Sequence, residues 1–161
     1  MIVFVNKKSE IRCAFSVIGY QFPEIETGED GNWLLLKLDL EVKDKRFVRV
    51  DPAITMFELE HLIEWFEDVS DKKIPRSTNL YFTEPNLQFE LYGCRENIIR
   101  YGIKLCSEFK PDFPVGLWAD WVDDEDDDEI EAVLVFENSV EEFKEFSAGL
   151  RNELARFPKR G

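Results

Sequence analysis

The sequence predicts an α+β fold, in which a mostly antiparallel sheet of about six to seven strands carries two amphipathic helices. Short apolar runs with partial alternation, separated by short turns, are typical of antiparallel strands. Two longer segments combine a capping box with apolar residues at helical spacing. Because the resulting order β-β-β-α-β-β-β-β-α does not alternate strand and helix singly, a doubly wound parallel sheet is disfavoured.

The first part of the chain predicts three strands. Residues 11–19 and 33–42 are rich in β-branched, aromatic and leucine residues with partial alternation. Charged residues between two apolar runs then indicate a hairpin that leads into a short strand at 46–50. Proline has no N–H to donate to a sheet ladder, so we expect this strand to stop at Asp51-Pro52.

A first helix is predicted over residues 55–70. Thr55 and Glu58 have the spacing of a capping box, in which each side chain binds the backbone of the other residue. Five apolar residues follow at helical spacing and form one stripe: Leu59, Leu62, Ile63, Phe66 and Val69. Pro75 follows the last turn and indicates the end of the helix.

The next part of the chain returns to strands. Turn residues separate three apolar segments, which predict strands at 78–83, 86–92 and 97–106. A loop over 107–129 is unusually long for a compact domain. It precedes one more apolar strand at 130–136.

The chain is predicted to close with a second helix over about residues 140–157. Ser139 and Glu142 form a second capping box. An apolar stripe follows before Pro158, made of Phe143, Phe146, Leu150, Leu154 and Phe157.

Length and composition favour a single domain over residues 1–161, because a chain that is 44% hydrophobic and 14% aromatic can fill a core without a metal or disulfide. The three cysteines, Cys13, Cys94 and Cys106, are widely spaced and odd in number, which indicates reduced thiols. The N-terminal apolar stretch is too short for a secretory signal, and no apolar run reaches the length of a membrane span. We therefore expect a cytoplasmic protein with no membrane partner.

The negative charge of the chain is concentrated in one segment. Nine acidic side chains and no basic one lie between Asp120 and Glu131, in a chain of net charge −14. Acidic runs are most often solvated, but tryptophan is rarely left in a loop that only needs solubility. We therefore predict a partner-binding surface in the aromatic and acidic loop of 107–129. Its predicted contact residues are Trp118, Asp120, Trp121, Asp123, Asp124, Glu125, Asp126, Asp127, Asp128 and Glu129.

The net charge also indicates which class of macromolecule the chain can bind. Recognition of nucleic acid depends on clustered lysine and arginine, so a pI near 4.5 argues against direct binding of nucleic acid. A basic protein is the better electrostatic match.

Motifs for catalysis, metal binding or cofactor binding are weak. His61, the only histidine, lies beside the polar face of the first helix, where we expect a solvent-facing or lightly packed imidazole rather than a catalytic base. The glycines are scattered and form no phosphate-binding loop. Asp124, Asp126 and Asp128 begin with calcium-loop spacing, but Glu129 stands where the loop needs glycine. We therefore predict no catalytic residue, no dedicated metal site and no cofactor.

Four stretches carry a resemblance to a known family. They are Phe22-Pro23-Glu24-Ile25 with Asn32-Trp33-Leu34, Asp51-Pro52-Ala53-Ile54-Thr55 with Glu58-Leu59, Phe82-Thr83-Glu84-Pro85-Asn86-Leu87-Gln88-Phe89-Glu90, and Leu154-Ala155-Arg156-Phe157-Pro158. Together they resemble the WapI family of bacterial immunity proteins. The resemblance implies a small cytoplasmic protein that binds and blocks a cognate toxin domain, one similar to a tRNA-cleaving nuclease. None of the stretches is a catalytic signature, and the 107–129 region matches no motif of the family.

Two other interpretations stay open at this point. The first is a small-molecule binding or enzymatic module with a pocket between sheet and helix, for which the aromatic residues Trp33, Trp65 and Tyr81 are the motive. The second is a binding surface elsewhere, for instance around Phe57, which lies opposite the apolar stripe of the first helix. The sequence does not determine the oligomeric state.

Overall fold

The computed structural model describes residues 1–115, 117–118 and 132–161, with the backbone alone for 117–118. The protein is an α+β fold of two antiparallel sheets and two long helices, which confirms the predicted class. The prediction that residues 1–161 form a single domain stays a prediction.

The first sheet, sheet A, has four strands in chain order. They are β1 (Ile2–Asn6), β2 (Ile11–Tyr20), β3 (Trp33–Val42) and β4 (Lys45–Thr55). The sequence analysis did not predict β1, which pairs with β2 so that Phe4 lies opposite Cys13.

The predicted stop at Asp51-Pro52 is wrong, because β4 continues through Pro52 to Thr55. Two features make this proline compatible with a strand. First, β4 is an edge strand, with β3 on only one side. Second, Leu34 pairs with Ile54 and Leu35 with Pro52, so a bulge interrupts the ladder beside the proline.

The second sheet, sheet B, has five strands in the order β5-β6-β7-β9-β8. They are β5 (Asn79–Tyr81), β6 (Leu87–Arg95), β7 (Ile98–Leu105), β8 (Leu117–Trp118) and β9 (Ala132–Ser139). The short strand β8 lies inside the predicted 107–129 loop, which also begins with a 3-10 turn at Ser107–Phe109. The strands therefore divide between two sheets, which the local pattern does not indicate.

Both helices begin where the sequence predicts. The helix α1 spans Met56–Ser70 and α2 spans Val140–Arg156, and each has a complete capping box. The Thr55 hydroxyl accepts from the Glu58 amide at 3.2 Å, while the Glu58 carboxylate accepts from the Thr55 amide at 2.8 Å. All five stripe residues of α1 are buried. None of the described helices is long and apolar enough to cross a membrane.

One aromatic cluster joins the two sheets and the two helices. At its centre the ring of Phe4 lies within 4.7–6.2 Å, centroid to centroid, of six other rings. They belong to Phe15 on β2, Phe66 on α1, Phe89 on β6, Tyr101 on β7, Phe136 on β9 and Phe146 on α2. The strand that the sequence analysis missed therefore supplies the central side chain of the core.

Candidate protein-binding site

The acidic segment is anchored at one edge of sheet B. Its leading strand β8 pairs antiparallel with β9, so that Leu117 lies opposite Val133 and Trp118 opposite Ala132. Directly opposed residues of an antiparallel pair have Cα atoms about 5 Å apart. The two described residues that flank the segment, Trp118 and Ala132, are therefore neighbours on adjacent strands. Since β8 is the last strand of the sheet, this pair lies on an edge.

The predicted contact residues fall mostly on the segment between these anchors. Trp118 has its backbone in β8, as described above. The others lie outside the described residues: Asp120, Trp121, Asp123, Asp124, Glu125, Asp126, Asp127, Asp128 and Glu129. The role of these residues stays a prediction. The pairing of Trp118 with Ala132 at the edge of sheet B is a feature of the fold.

A bulge in β6 positions an exposed tyrosine on the outer face of sheet B. Leu91 pairs with Tyr101 and Gly93 with Arg100, so Tyr92 is the extra residue between them. Bulges of this kind re-aim a side chain. The Tyr92 ring lies over Gly102 of β7, where a Cβ would overlap with the Tyr92 Oη and Cζ atoms. A glycine is thus required for the ring to occupy this place.

Polar contacts fix the same ring. The Tyr92 hydroxyl donates to Glu90 Oε2 at 3.1 Å, and Glu90 Oε1 forms a 2.8 Å ion pair with Lys104 Nζ. Partial burial, followed by the nearby Glu90 charge, raises the pKa of Tyr92 to about 12, so the hydroxyl remains a donor at neutral pH. Tyr92 is nonetheless 47% exposed, and Tyr81 on β5 is 59% exposed. From the sequence, Tyr81 was considered only for a pocket and Tyr92 was not singled out, because the contact of Tyr92 with Gly102 depends on the strand pairing.

The structure separates the side chains that acid–base or nucleophilic chemistry would need. His61 is exposed on α1, as predicted. Cys13 is in the core, and burial raises the pKa of its thiol far above the usual value, which disfavours the reactive thiolate. Cys94 is exposed and Cys106 is half-buried. Within the described part of the chain, no group of three or more His, Cys, Asp or Glu side chains could hold a metal ion.

The space between sheet and helix offers little room for a ligand, because the aromatic cluster fills it. Trp65 is part of this cluster. It is 4% exposed, and its indole N–H donates to the Ser77 carbonyl at 3.1 Å. A groove of about 1270 Å³ does lie elsewhere, between the turns that contain Lys7 and Lys43 and the start of α2. Among its described lining residues are neither His61 nor a cysteine. The interpretation as an enzymatic module therefore gains no support from the described residues.

Two of the sequence stretches that carry the family resemblance contact each other, and a third binds Arg160, two residues beyond the fourth. The β4–α1 junction contacts the turn before β6. Asn86, which is 2% exposed, donates from Nδ2 to Asp51 Oδ2 at 2.6 Å. The Thr83 amide donates to Glu58 Oε1 at 2.6 Å, so the capping carboxylate of α1 also holds this turn.

The chain beyond α2 is bound to the turn that precedes β3. Asn32, which is 2% exposed, accepts from the Arg160 amide at 2.9 Å and donates to the Arg160 and Gly28 carbonyls, both at 3.0 Å. The Arg160 guanidinium donates to the carbonyls of Phe22, Pro23 and Ile25. These contacts give Asn32, Glu58 and Asn86 a structural role in the fold.

Comparison with known proteins agrees with the resemblance. The chain matches the Immunity protein WapI-like family over residues 4–158, which include nearly all of both sheets and both helices. The chain belongs to this family. No curated protein and no solved structure matches the chain. Membership of an immunity family implies a toxin as the partner in general.

Proposed function

We propose that this WapI-like protein binds and neutralises a cognate toxin domain in the cytoplasm, and that this domain is basic and of the nuclease type. Membership of an immunity family carries the general part of the proposal. The charge of −14, concentrated in the acidic segment, carries the specific part. A nuclease has to present cations to its phosphate substrate, and an acidic inhibitor is attracted by the same field.

The acidic segment is the proposed contact surface, with Trp118 and Trp121 as aromatic anchors and the carboxylates of 123–129 as the attracting charge. Dense like charge mainly raises the rate of encounter with an oppositely charged partner, whereas buried aromatic side chains slow dissociation. Anchoring of both ends at one sheet edge supports this assignment, because it presents the segment at a defined place on the fold. The −14 charge supports a protein as the direct partner rather than nucleic acid.

The proposal predicts a charge-dependent association rate. Asp123, Asp124, Asp126, Asp127 and Asp128 are replaced together with asparagine, and binding to the cognate toxin domain is followed by stopped flow. At low salt the association rate should fall about tenfold, because steering by local charge is lost. At high salt the rates of variant and wild type should converge, because exposed charges are then screened.

A matched variant controls for net charge. Five exposed acidic residues of the helices and the turn after α1 are replaced with their amides: Glu60, Glu64, Asp71, Glu141 and Glu145. The change in net charge is the same, but it lies away from the sheet B edge. An equal loss of association rate in both variants would show that the acidic segment is not the contact surface.

A further inference from the structure

The outer face of sheet B combines exposed aromatic rings with charges that are already paired. Tyr81 and Tyr92 are the exposed rings. Across the strands between them and β9, Glu90 pairs with Lys104 at 2.8 Å and Arg100 with Glu137 at 3.9 Å. A partner that covers these four side chains would meet charges that already have partners, which lowers a main cost of burying a polar surface.

Tyr92 is also fixed before any partner arrives. The bulge, the space over Gly102 and the hydrogen bond to Glu90 together hold its ring in one place. An anchor that is already ordered loses less conformational entropy on binding, so more of its contact energy contributes to affinity. Tyrosine is among the residues most enriched at the centres of protein interfaces.

This face reaches the anchored acidic segment within the span of one interface. Tyr81, Gln88, Lys104, Val133 and Leu117 form a single row of Cα partners across the five strands. With strands about 4.8 Å apart, the row is about 19 Å long. A standard interface covers about 800 Å² on each partner and is about 30 Å across. One partner can therefore contact both the tyrosines and the beginning of the acidic segment.

We propose that the outer face of sheet B, with Tyr92 as its anchor, is the centre of the toxin-binding interface. This inference rests on the proposed function. The partner is the same basic toxin domain, because the tyrosines and strand β8 lie within the span of one interface.

Dissociation rates of single-site variants test the proposal. In Tyr92→Ala, dissociation from the toxin domain should be about 30-fold faster, the size of a hot-spot effect. Gly102→Ala keeps the tyrosine but displaces its ring, because the new Cβ would occupy the position of the ring's far end. Gly102→Ala should accelerate dissociation about threefold to tenfold, because the tyrosine is kept but its ring is no longer held in place before binding.

Two controls complete the series. Gly93→Ala, one residue from Tyr92, adds the same methyl group where no atom lies within 4 Å, and it should dissociate like the wild type. Phe57→Ala removes an exposed ring from α1, where Lys159 lies over it at 4.9 Å, and it should also have no effect. Thermal unfolding of each variant verifies that the fold is kept.

The outcomes separate this inference from the proposed function. If the wild type binds and both Tyr92→Ala and Gly102→Ala dissociate at the wild-type rate, the sheet B face is not the centre of the interface, while the toxin-binding function stands. Faster dissociation of Phe57→Ala alone would move the interface to α1. Failure of the wild type to bind any toxin domain would overturn the proposed function and this inference with it.

Discussion

Replacing Phe4 with alanine should lower the free energy of unfolding by about 3–5 kcal/mol, the range measured for phenylalanine truncation in well-packed cores. The Phe4 ring is fully buried and contacts rings from both sheets and both helices. Its removal would leave a cavity between elements that are distant in sequence. Because the surrounding rings belong to six different strands and helices, they cannot close the cavity without moving a sheet or a helix.

Urea unfolding of the purified protein measures this loss. Phe57→Ala is the matched control, since it truncates the same side chain at a site that is 37% exposed, and its cost should be below about 1 kcal/mol. Equal destabilisation by the two variants would contradict the central position of Phe4 in the core.

Replacing Asn32 with alanine should lower the free energy of unfolding by about 2–4 kcal/mol. The Asn32 side chain makes three hydrogen bonds to the backbone of Gly28 and Arg160, and a typical hydrogen bond contributes about 0.5–1.5 kcal/mol. In this variant the partly buried backbone groups of Gly28 and Arg160 also lose their partners. In Asn32→Ala the chain beyond α2 should detach first, before global unfolding. The midpoint of global unfolding should then be lower than in the wild type.

Hydrogen exchange resolves the two stages. Amides near Arg160 and in the 22–32 turn should lose protection in Asn32→Ala, while amides of β7 and β9 keep theirs until global unfolding. Asn152→Ala, an exposed position on α2, supplies the control. Unchanged protection in both the turn and the chain end would show that Asn32 does not hold them together.

The sequence predicted those elements whose signals are local. Both capping boxes lie within four consecutive residues, and both helices begin at them. The strand stop predicted from Pro52 was also a local signal, but it was wrong. At a bulge in an edge strand the backbone N–H need not join the ladder, so a proline can be accommodated there. The N-terminal strand β1 has only five residues and no local signal predicts it. Its place in the core depends on contacts with residues that are distant in sequence.

Prediction of the site followed the same rule. The acidic segment was visible because charge density along the chain is a local property. Its anchoring at the β8–β9 edge, and the position of Tyr92 over Gly102, depend on which strands pair and in which register. Register is set by long-range packing, so a single sequence does not reveal it. The family stretches were recognisable by sequence, yet their contacts show a structural role.

Binding of the toxin domain is the measurement that tests the central claim most directly. The purified protein is titrated with the cognate toxin domain at about 0.05 M and about 0.5 M salt, and the toxin's cleavage activity is followed in the same samples. The proposal predicts a stoichiometric complex that abolishes cleavage and that high salt weakens. A toxin domain that remains fully active in the presence of excess protein, at both salt concentrations, would contradict it.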